Sequence, residues 1–385
     1  MSLRFRHETL RLGFRDPFRI ARAMDEGERA VTVIVDLWDT ADGAQGPVAV
    51  GEGFPDAYYG ETPETIAAVL PLLVEAVEPA AATLAGLRGD PDGGEPPAPD
   101  VLAAARAALA AAGAAMDAAL GRNGAAKCAV DIALHDLAAG RLGLPLVDLL
   151  GLSREIPATD FTLGIDEPAV VAERAVRAAR FPALKVKVGG PADLETLEAV
   201  RAVYSGRLRV DANTGWQPEQ GARLVPELVR LGVELVEQPF PAHRLDQLAW
   251  LQERSALPIV ADESAVSIVD LDGLRGIVAG VNVKLAKCGG VGAAARMLAR
   301  ARELGFRTFL GCMEETSVGI AASAAVASLA EWVDLDGCLL IADEPFEGLE
   351  LDDACRWQLG DAPGLGVSRR LGRFESAMTP EVSPG

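Results

Sequence analysis

The sequence predicts an α/β fold in which a (β/α)8 barrel carries a smaller α+β capping domain. Three observations support this prediction. Between residues 159 and 336, eight short apolar strands alternate with helices, and eight such units close into a barrel instead of an open sheet. The first 60 residues have the pattern of antiparallel strands. The length of 385 residues accommodates a barrel of about 250 residues and a second, smaller domain.

The elements follow one another in a regular order along the chain. Strands are predicted at 31–38 and 48–53, and a helix begins after Thr62, a favoured N-cap residue, with Pro63 at its first position. The Pro-, Gly- and Asp-rich residues 89–100 form a surface loop, and Ala-rich helices then continue to about residue 140. The eight barrel strands are predicted at 159–164, 184–188, 208–212, 233–237, 259–262, 281–285, 308–311 and 332–336.

The alternation of strands and helices ends near Glu344, so we predict three segments. Residues 1–125 form the capping domain, and residues 126–345 form the barrel that carries the active site. Residues 346–385 return to the capping domain. The small domain is therefore expected to be discontinuous along the chain.

The composition disfavours several kinds of partner and site. A formal charge of -20 and a pI near 4.6 argue against nucleic acid, whose binders concentrate Lys and Arg. Five scattered cysteines lack the paired spacing of a zinc site, which indicates reduced thiols. The N-terminus has no signal-peptide pattern, and the long apolar stretch at 101–120 is interrupted by Arg106 and Asp117. We expect a cytoplasmic protein that binds neither nucleic acid nor a membrane.

Polar residues stand at the C-terminal ends of five consecutive predicted strands. They are Lys187, Asp211, Glu237, Asp262 and Lys284, each about one βα unit after the previous one. In a (β/α)8 barrel these strand ends converge on one mouth, so the five side chains are expected to be neighbours in space. Any one of the carboxylates alone would be an ordinary helix N-cap, but five residues in register are not explained in that way.

The three carboxylates predict a metal site. Asp211, Glu237 and Asp262 offer oxygen ligands without Cys or His, a set that selects Mg2+ before Mn2+ and leaves positions for substrate and water. Mg2+ there would bind a substrate carboxylate and stabilise the enediolate that forms when the adjacent carbon loses its proton. We expect one Mg2+ per subunit, with Mn2+ as a substitute.

Lys187 and Lys284 are the predicted acid/base residues. A lysine is a useful base only when its pKa falls toward neutrality, and a divalent cation and a second ammonium both act in that direction. Lys185, two residues before Lys187 on the same strand face, would supply the second ammonium. Because Lys187 ends the second barrel strand and Lys284 the sixth, they approach the reacting carbon from opposite faces, which suits racemisation or epimerisation.

The motifs KVK, DANTGW, EQP, ADES and KLAKCGG occur in this order, and the chain resembles the enolase superfamily in its muconate-lactonising subgroup. The resemblance covers nearly the whole chain, including the segment AVDIALHDLAAGRLGLPLVDLLG before the barrel. It implies a capped barrel with metal ligands at Asp211, Glu237 and Asp262 and acid/base residues at Lys187 and Lys284.

The resemblance also implies a substrate class. The segment VDLDG places Asp334 and Asp336 at the eighth strand end, similar to a motif with which dipeptide epimerases recognise a free α-ammonium group. Two carboxylates on one strand edge suit a protonated amine. Thr162 and Lys185 match further positions that contact substrate. The pattern is similar to that of L-Ala-D/L-Glu epimerases, which act on a dipeptide derived from peptidoglycan, so we expect a dipeptide with an acidic second residue.

Two loops of the capping domain, PFRIARAMDEGE and FPDAYYGET, resemble loops that close over substrate in this family. Arg19 or Arg22 would form a bidentate contact with a side-chain carboxylate, and Arg22 is our candidate for substrate binding.

In GCMEETSVG, Glu314 and Glu315 fit an anionic dipeptide poorly; they either favour a polar or cationic residue or form a solvated acidic loop. We expect the enzyme to be a homo-oligomer.

Other reactions fit the same set of residues. An N-acylamino acid racemase or o-succinylbenzoate synthase would use the same lysines and metal ligands, but neither requires the ammonium site that the two aspartates indicate. A Schiff-base lyase would instead use Lys187 or Lys284 as a nucleophile toward a carbonyl. Borohydride trapping distinguishes this chemistry from proton abstraction.

Overall fold

A computed structural model of the chain describes residues 3–23, 29–40, 48–87 and 96–370. The N-terminal part is a three-stranded antiparallel sheet, formed in this order by β1 (Leu3–Gly13), β2 (Arg29–Asp39) and β3 (Ala49–Gly53). Strands β2 and β3 correspond to the strands predicted at 31–38 and 48–53, which are thereby confirmed.

Four helices follow this sheet: α1 (Pro63–Ala85), α2 (Pro99–Ala119), α3 (Gly124–Leu142) and α4 (Leu146–Leu150). Helix α1 begins as predicted, because Thr62 is its N-cap and accepts a hydrogen bond from the backbone N–H of Thr65 at 3.3 Å. Helix α3 lies directly against β3. A Cβ on Gly51 would stand 1.9 Å from the carbonyl oxygen of Ala129, so only glycine allows this approach.

Helices α1 and α2 are long and apolar enough to cross a membrane if length and composition alone are considered. In the fold they pack against each other and against α3. The buried face of α1 includes Ile66, Leu70 and Leu73, at helical spacing. The packing of α2 agrees with the packed helix expected at 101–120. Most of the loop predicted at 89–100 lies outside the described residues.

The barrel is an eight-stranded parallel sheet in which each strand neighbours the next along the chain. The ring is completed where Thr159 pairs with Val333, and the N–H of Asp160 donates to the carbonyl oxygen of Val333 at 3.0 Å. Every strand lies within two residues of its predicted bounds, so the predicted barrel is confirmed. The strands are β4 (Phe161–Leu163), β5 (Ala183–Lys187), β6 (Arg207–Asp211), β7 (Val233–Glu237), β8 (Ile259–Ala261), β9 (Gly280–Lys284), β10 (Arg307–Gly311) and β11 (Trp332–Asp334).

Helices on the outside of the barrel connect these strands, but their lengths differ. The last one has 4 residues, whereas the helices after β6 and β9 include segments of 13 residues. The outer side of β4 therefore lacks a full-length helix from the eighth unit. The helices are α5 (Pro168–Arg177), α6 (Asp193–Val203), α7 (Pro218–Arg230), α8 (Leu245–Gln252), α9 (Leu271–Leu274), α10 (Leu285–Cys288), α11 (Val291–Glu303), α12 (Ser317–Ala324) and α13 (Gly337–Leu340).

The C-terminal segment forms two small antiparallel ribbons, of β12 (Phe346–Glu347) with β15 (Ser368–Arg369) and of β13 (Glu350–Leu351) with β14 (Trp357–Gln358). It contacts the N-terminal sheet, since Arg369 pairs with Glu8 and, at 2.9 Å, with Asp36. The backbone N–H of Leu365 donates to Asp136 of α3 at 2.8 Å. These contacts agree with the expected return of the tail, while the boundaries at 125 and 345 stay a prediction.

A buried ion pair lies inside the barrel below the mouth. Nη1 of Arg209, in β6, donates to both carboxylate oxygens of Asp160 at 2.6 and 2.8 Å. The guanidinium also lies 5.6 Å from the ring centre of Phe309 and 5.8 Å from that of Trp332. Burial raises the pKa of Asp160 to about 7, against the opposing effect of Arg209. The ionised carboxyl therefore depends on this arginine.

Replacing Arg209 with leucine is expected to lower the free energy of unfolding by about 3–5 kcal/mol near pH 8, because it leaves a buried carboxylate without its partner. Because Arg209 opposes the effect of burial, its removal raises the pKa of Asp160 further, and the destabilisation of the variant by this carboxyl grows with pH from the ordinary carboxyl range up to that raised pKa. The loss should therefore be smaller near pH 5. Urea denaturation at both pH values measures it.

Arg307→Leu is the matched control, since Arg307 also pairs with a carboxylate, that of Glu331, and also lies over the ring of Trp332. This pair is exposed, so its loss should cost about 0–1 kcal/mol. Equal costs for the two arginine variants would contradict the structural role assigned to Arg209.

Candidate active site

The polar residues predicted at the strand ends lie together at one mouth of the barrel. Lys187, Asp211 and Glu237 are the last residues of β5, β6 and β7, and they are paired in register across these strands. Lys284 is the last residue of β9, and Asp262 directly follows β8. The parallel register thus brings all five predicted residues to one edge of the sheet.

Each of the three carboxylates contacts a lysine ammonium group. Nζ of Lys187 lies 2.7 Å from Oδ2 of Asp211, and Nζ of Lys284 lies 2.9 Å from Oδ2 of Asp262. Glu237 is approached by Lys185 at 3.4 Å. All of these side chains are buried, so the pairs lie in a medium of low dielectric constant where charges interact strongly.

Burial and neighbouring charges oppose each other in setting the ionisation of this cluster. Burial, together with the negative charge of Asp211, raises the pKa of Glu237 to about 7. Burial would also raise the pKa of Asp262, but Lys284 and Lys287 outweigh it and hold that pKa well below its ordinary value. The three carboxylates therefore differ in how readily they ionise.

A lysine base is expected to have a lowered pKa, but the pKa of Lys284 is raised. Burial acts to lower this pKa, but the nearby carboxylates of Asp262 and Glu237 outweigh burial and raise it above its ordinary value. Lys185 acts in the expected direction, since its positive charge lowers the pKa of Lys284. The strongest of the raising effects is that of Asp262, whose Oδ2 lies 2.9 Å from Nζ of Lys284.

The donor set around the three carboxylates fits a hard divalent cation, because it consists of oxygen ligands. Two more oxygens beside it, Oδ1 of Asn213 and Oε2 of Glu263, are buried without a hydrogen-bond partner in the described part of the chain. The N–H of Asn213 donates to Asp211 at 2.9 Å. Among the described residues, no three Asp, Glu, His or Cys side chains are already arranged to hold a metal ion, and each candidate ligand contacts a lysine instead.

Lys287 belongs to the site but was not predicted from the sequence. It is buried, and its ammonium pairs with Oδ1 of Asp262 and donates to the carbonyl oxygens of Asp262, Ala265 and Asn282 at 2.7, 3.1 and 3.0 Å. Four contacts to backbone and side chain fix the position of the Asp262 carboxylate. The motif KLAKCGG contains this residue, but its place in the short helix α10 carries no strand-end signal.

Asn282 is a second residue that the sequence analysis missed. Its side-chain N–H donates to Oε1 of Glu237 at 2.7 Å, which orients this carboxylate. Asn282 lies two residues before Lys284 in β9, so both side chains point to the same face of the strand. In VNVK, alternate side chains point to the same face, and this alternation could have identified Asn282 as a neighbour of Lys284.

The two aspartates of VDLDG lie where the first and eighth strands meet. Asp334 accepts a hydrogen bond from the hydroxyl of Thr162 at 3.0 Å and pairs with Lys185. Asp336 accepts from the backbone N–H of Thr162 at 2.6 Å. Burial and the charge of Asp334 raise the pKa of Asp336 well above its ordinary value. The structure thus brings the four predicted residues Thr162, Lys185, Asp334 and Asp336 together.

Arg22 reaches the proposed metal ligands from the capping domain, whereas the side chain of Arg19 lies against the loop after β4. Nη2 of Arg22 lies 2.8 Å from Asp56, in the second capping loop, and 3.8 Å from Glu263, next to Asp262. Arg19 approaches Asp166 at 3.5 Å. The rest of the first loop, residues 24–28, lies outside the described residues. Arg22 therefore connects both capping loops to the barrel.

Glu315 is buried, so a solvated acidic loop is the wrong interpretation for this residue. Its Oε2 accepts a hydrogen bond from the N–H of Met313 at 3.2 Å. Burial and the neighbouring Glu52 of β3 raise its pKa to about 8. Glu314 is partly exposed. The loop after β10 is therefore part of the contact between barrel and capping domain.

A capped parallel barrel with lysines and carboxylates at its C-terminal strand ends is the architecture of the enolase-type enzymes. Comparison with family models gives the same result. Residues 168–370 match the enolase C-terminal domain-like family, and residues 98–151 match the N-terminal domain of mandelate racemase / muconate lactonizing enzyme. The chain therefore belongs to the mandelate racemase / muconate lactonizing enzyme family, in the enolase superfamily.

Two relatives with similar sequences are dipeptide epimerases. The L-Ala-D/L-Glu epimerase of Bacteroides thetaiotaomicron is 42% identical over 251 residues, which cover 64% of this chain and 65% of the relative, just under two thirds of its length. The hydrophobic dipeptide epimerase of Roseobacter litoralis is 40% identical over 257 residues, 63% of this chain and 74% of the relative.

A solved structure extends the similarity over nearly the whole chain. The dipeptide epimerase of Enterococcus faecalis V583, complexed with Mg and the dipeptide L-Leu-L-Tyr, matches with a TM-score of 0.79 and 30% sequence identity. The match covers 96% of this chain and 100% of that one. The predicted similarity to dipeptide epimerases is confirmed.

Proposed function

We propose that this enzyme epimerises dipeptides with a free amino terminus, by moving a proton from and to the α-carbon of the C-terminal residue. The proposal rests on the positions of Lys187 and Lys284. Their strands, β5 and β9, are four places apart in the order of an eight-stranded barrel, so the two lysines lie on opposite sides of the mouth. An acid/base group on each face of a carbon is what inversion requires.

The lysines would act as a pair. One lysine, as the neutral amine, takes the α-proton from one face of the carbon, and the other, as the ammonium, delivers a proton to the opposite face. Mg2+ held by Asp211, Glu237 and Asp262 would supply the positive charge that stabilises the substrate carboxylate as its α-carbon loses the proton. Because the lysines are buried, bulk water does not compete for the transferred proton.

The free amino terminus would bind at Asp334 and Asp336. Both are buried, and both are held by Thr162, so their carboxylate oxygens are positioned before a ligand arrives. Lys185 pairs with Asp334, so an ammonium group that binds here shares this carboxylate with the lysine. Burial and Asp334 raise the pKa of Asp336, so a bound ammonium group would favour the ionised form of this carboxyl and thereby gain the negative charge that a second cation needs.

Asp334→Asn is expected to raise KM for a dipeptide about 10- to 100-fold, the range expected for loss of one charge-assisted hydrogen bond, with a smaller change in kcat. The same substitution should change KM for an N-acetylated substrate little, because that substrate has no ammonium group. Steady-state kinetics with both substrates measure the difference, and Asp272→Asn, at an exposed residue outside the mouth, is the control. A small change in KM for the free dipeptide would contradict the ammonium site.

We also propose that the second residue of the substrate is acidic, as in L-Ala-D/L-Glu. The support comes from Arg22, whose Nε is buried without a hydrogen-bond partner in the described part of the chain. A side-chain carboxylate would supply the missing acceptor. Asp56 already pairs with this guanidinium at 2.8 Å, so an acidic substrate has to compete with an internal carboxylate. If an acidic side chain cannot displace Asp56 from Arg22, we expect the enzyme to prefer dipeptides with a hydrophobic second residue.

A dipeptide panel in D2O tests the proposed function. With Mg2+ present, L-Ala-L-Glu should gain one mass unit as its α-proton exchanges, and its D-Glu epimer should appear. Dipeptides with a hydrophobic second residue should react more slowly. Exchange of an N-acylamino acid without exchange of any dipeptide would favour the N-acylamino acid racemase, and no exchange of any compound would refute epimerase activity.

A further inference from the structure

A cleft with a volume of about 300 Å³ lies on the outside of the barrel, next to β4 and the short helix α13. Its wall is largely apolar and includes Phe18, Phe161, Phe181, Leu339 and Leu340. The proposed lysine pair and metal ligands do not line it, but Thr162, which holds Asp334 and Asp336, does. The cleft exists because the eighth βα unit ends in a helix of only 4 residues, which leaves the outer side of β4 incompletely covered.

The cleft is rich in positive charge, which is unusual in a chain with a formal charge of -20. Among the described residues that line it, four are arginines and one, Asp16, is acidic. Asp16 is already paired with Arg177 at 2.7 Å. The lining therefore has an excess of cationic groups over carboxylates. The four arginines are Arg15, Arg174, Arg177 and Arg180.

Two of these arginines form no ion pair with a described carboxylate. Nε of Arg15 donates to the carbonyl oxygen of Leu339 at 3.0 Å, and no contact of its two Nη groups is seen within the described chain. The guanidinium of Arg180 lies 5.0 Å from the ring centre of Phe181. Both side chains are exposed at the edge of the cleft and are free to meet an anion.

Arg174 gives a second, independent indication of a ligand. It is only 7% exposed and lines the cleft, and its Nη groups donate to Asp166 at 2.7 Å and to the carbonyl oxygen of Pro17 at 3.3 Å. Its Nε forms an ion pair with Asp16 at 3.7 Å, but this distance is too long for a hydrogen bond, and Nε has no hydrogen-bond partner within the described residues. A buried donor of this kind requires an acceptor, which a ligand would supply.

We propose that this cleft binds a small amphipathic carboxylate. Its head group would be held by Arg15, Arg174 and Arg180, because a planar guanidinium matches a carboxylate, and its apolar part would pack on the phenylalanines. A volume of 300 Å³ equals about ten water volumes, which suits a ligand of roughly ten heavy atoms. The site goes beyond the proposed function, and of the residues proposed for the dipeptide site it shares only Thr162.

Titration calorimetry with 4-phenylbutyrate, on the full chain with Mg2+ present, tests this proposal. The acid should bind at least about tenfold more tightly than 4-phenylbutanol, which has the same apolar part and no charge. Arg15→Ala and Arg180→Ala should each weaken binding of the acid about fivefold or more. Arg254→Ala is the matched control, since Arg254 is also exposed and lies 5.0 Å from the ring of Trp250, away from the cleft. It should leave binding unchanged.

Competition with the dipeptide tests whether 4-phenylbutyrate binds in the cleft or at the barrel mouth. An excess of L-Ala-L-Glu should not displace 4-phenylbutyrate. Displacement by the dipeptide, equal binding of acid and alcohol, or no binding at millimolar concentration would each overturn the proposal. Because calorimetry measures binding without turnover, failure of this proposal and failure of the proposed epimerase activity are distinguishable.

Discussion

Replacing Lys284 with methionine is expected to lower kcat for epimerisation at least about a thousandfold, while exchange of the α-proton with D2O continues for one epimer only. The reason is that Lys187 remains on the opposite side of the mouth and still serves one face of the carbon. Lys187→Met should retain exchange of the other epimer. Proton NMR in D2O, started separately from each epimer of the dipeptide, measures both rates.

The fold should tolerate the Lys284 substitution, because the partner carboxylate of Asp262 keeps its contact with Lys287. Lys127→Met is the matched control: Lys127 is also buried and also pairs with a carboxylate, that of Asp117 at 2.7 Å, but it lies in α3. It should leave kcat nearly unchanged. Loss of exchange for both epimers in each mouth variant, with the fold intact, would contradict a pair of opposed bases.

Replacing Asp211 with asparagine is expected to weaken Mg2+ binding at least about a hundredfold. Substitution of a residue that only supports a metal ligand already weakens metal binding by up to about that factor, and Asp211 is itself a proposed ligand. The carboxylate supplies one of three buried negative charges, and asparagine has nearly the same shape without the charge. Titration calorimetry with Mg2+ measures the affinity. Asp246→Asn is the control, because Asp246 pairs with Arg244 on the exposed surface.

Removal of the metal from the wild-type enzyme should have the same direction of effect. EDTA is expected to abolish exchange of the dipeptide α-proton, and added Mg2+ should restore it. Borohydride should leave the protein unlabelled. Full activity in EDTA, together with covalent labelling of Lys187 or Lys284 after borohydride treatment, would instead establish Schiff-base chemistry.

The barrel and its strand ends could be predicted because they depend on local patterns. Strand β7 was predicted with its observed bounds, Val233–Glu237, since an apolar run between turn residues is visible in the sequence. The convergence of Lys187 and Lys284 followed from topology alone, because a parallel barrel places every strand end at one mouth. No information about side-chain contacts was needed for these predictions.

Contacts between distant segments could not be predicted in the same way. Arg22 lies on Asp56 and near Glu263, in three different loops, and the backbone of Thr162 binds a carboxylate 174 residues away. Lys287 was missed because its role depends on the turn of α10, which directs it back to Asp262. Such contacts depend on how whole elements pack, which no periodicity in the sequence records.

The lysines described above also determine how the protein meets amine-directed reagents. The chain has five lysines, and all of them are buried, so its exposed basic side chains are arginines and histidine. Four of the five, Lys185, Lys187, Lys284 and Lys287, lie at the barrel mouth. An acylating reagent therefore finds no lysine on the outer surface, and the slow acylation of these four side chains would report how often the capping domain uncovers the mouth.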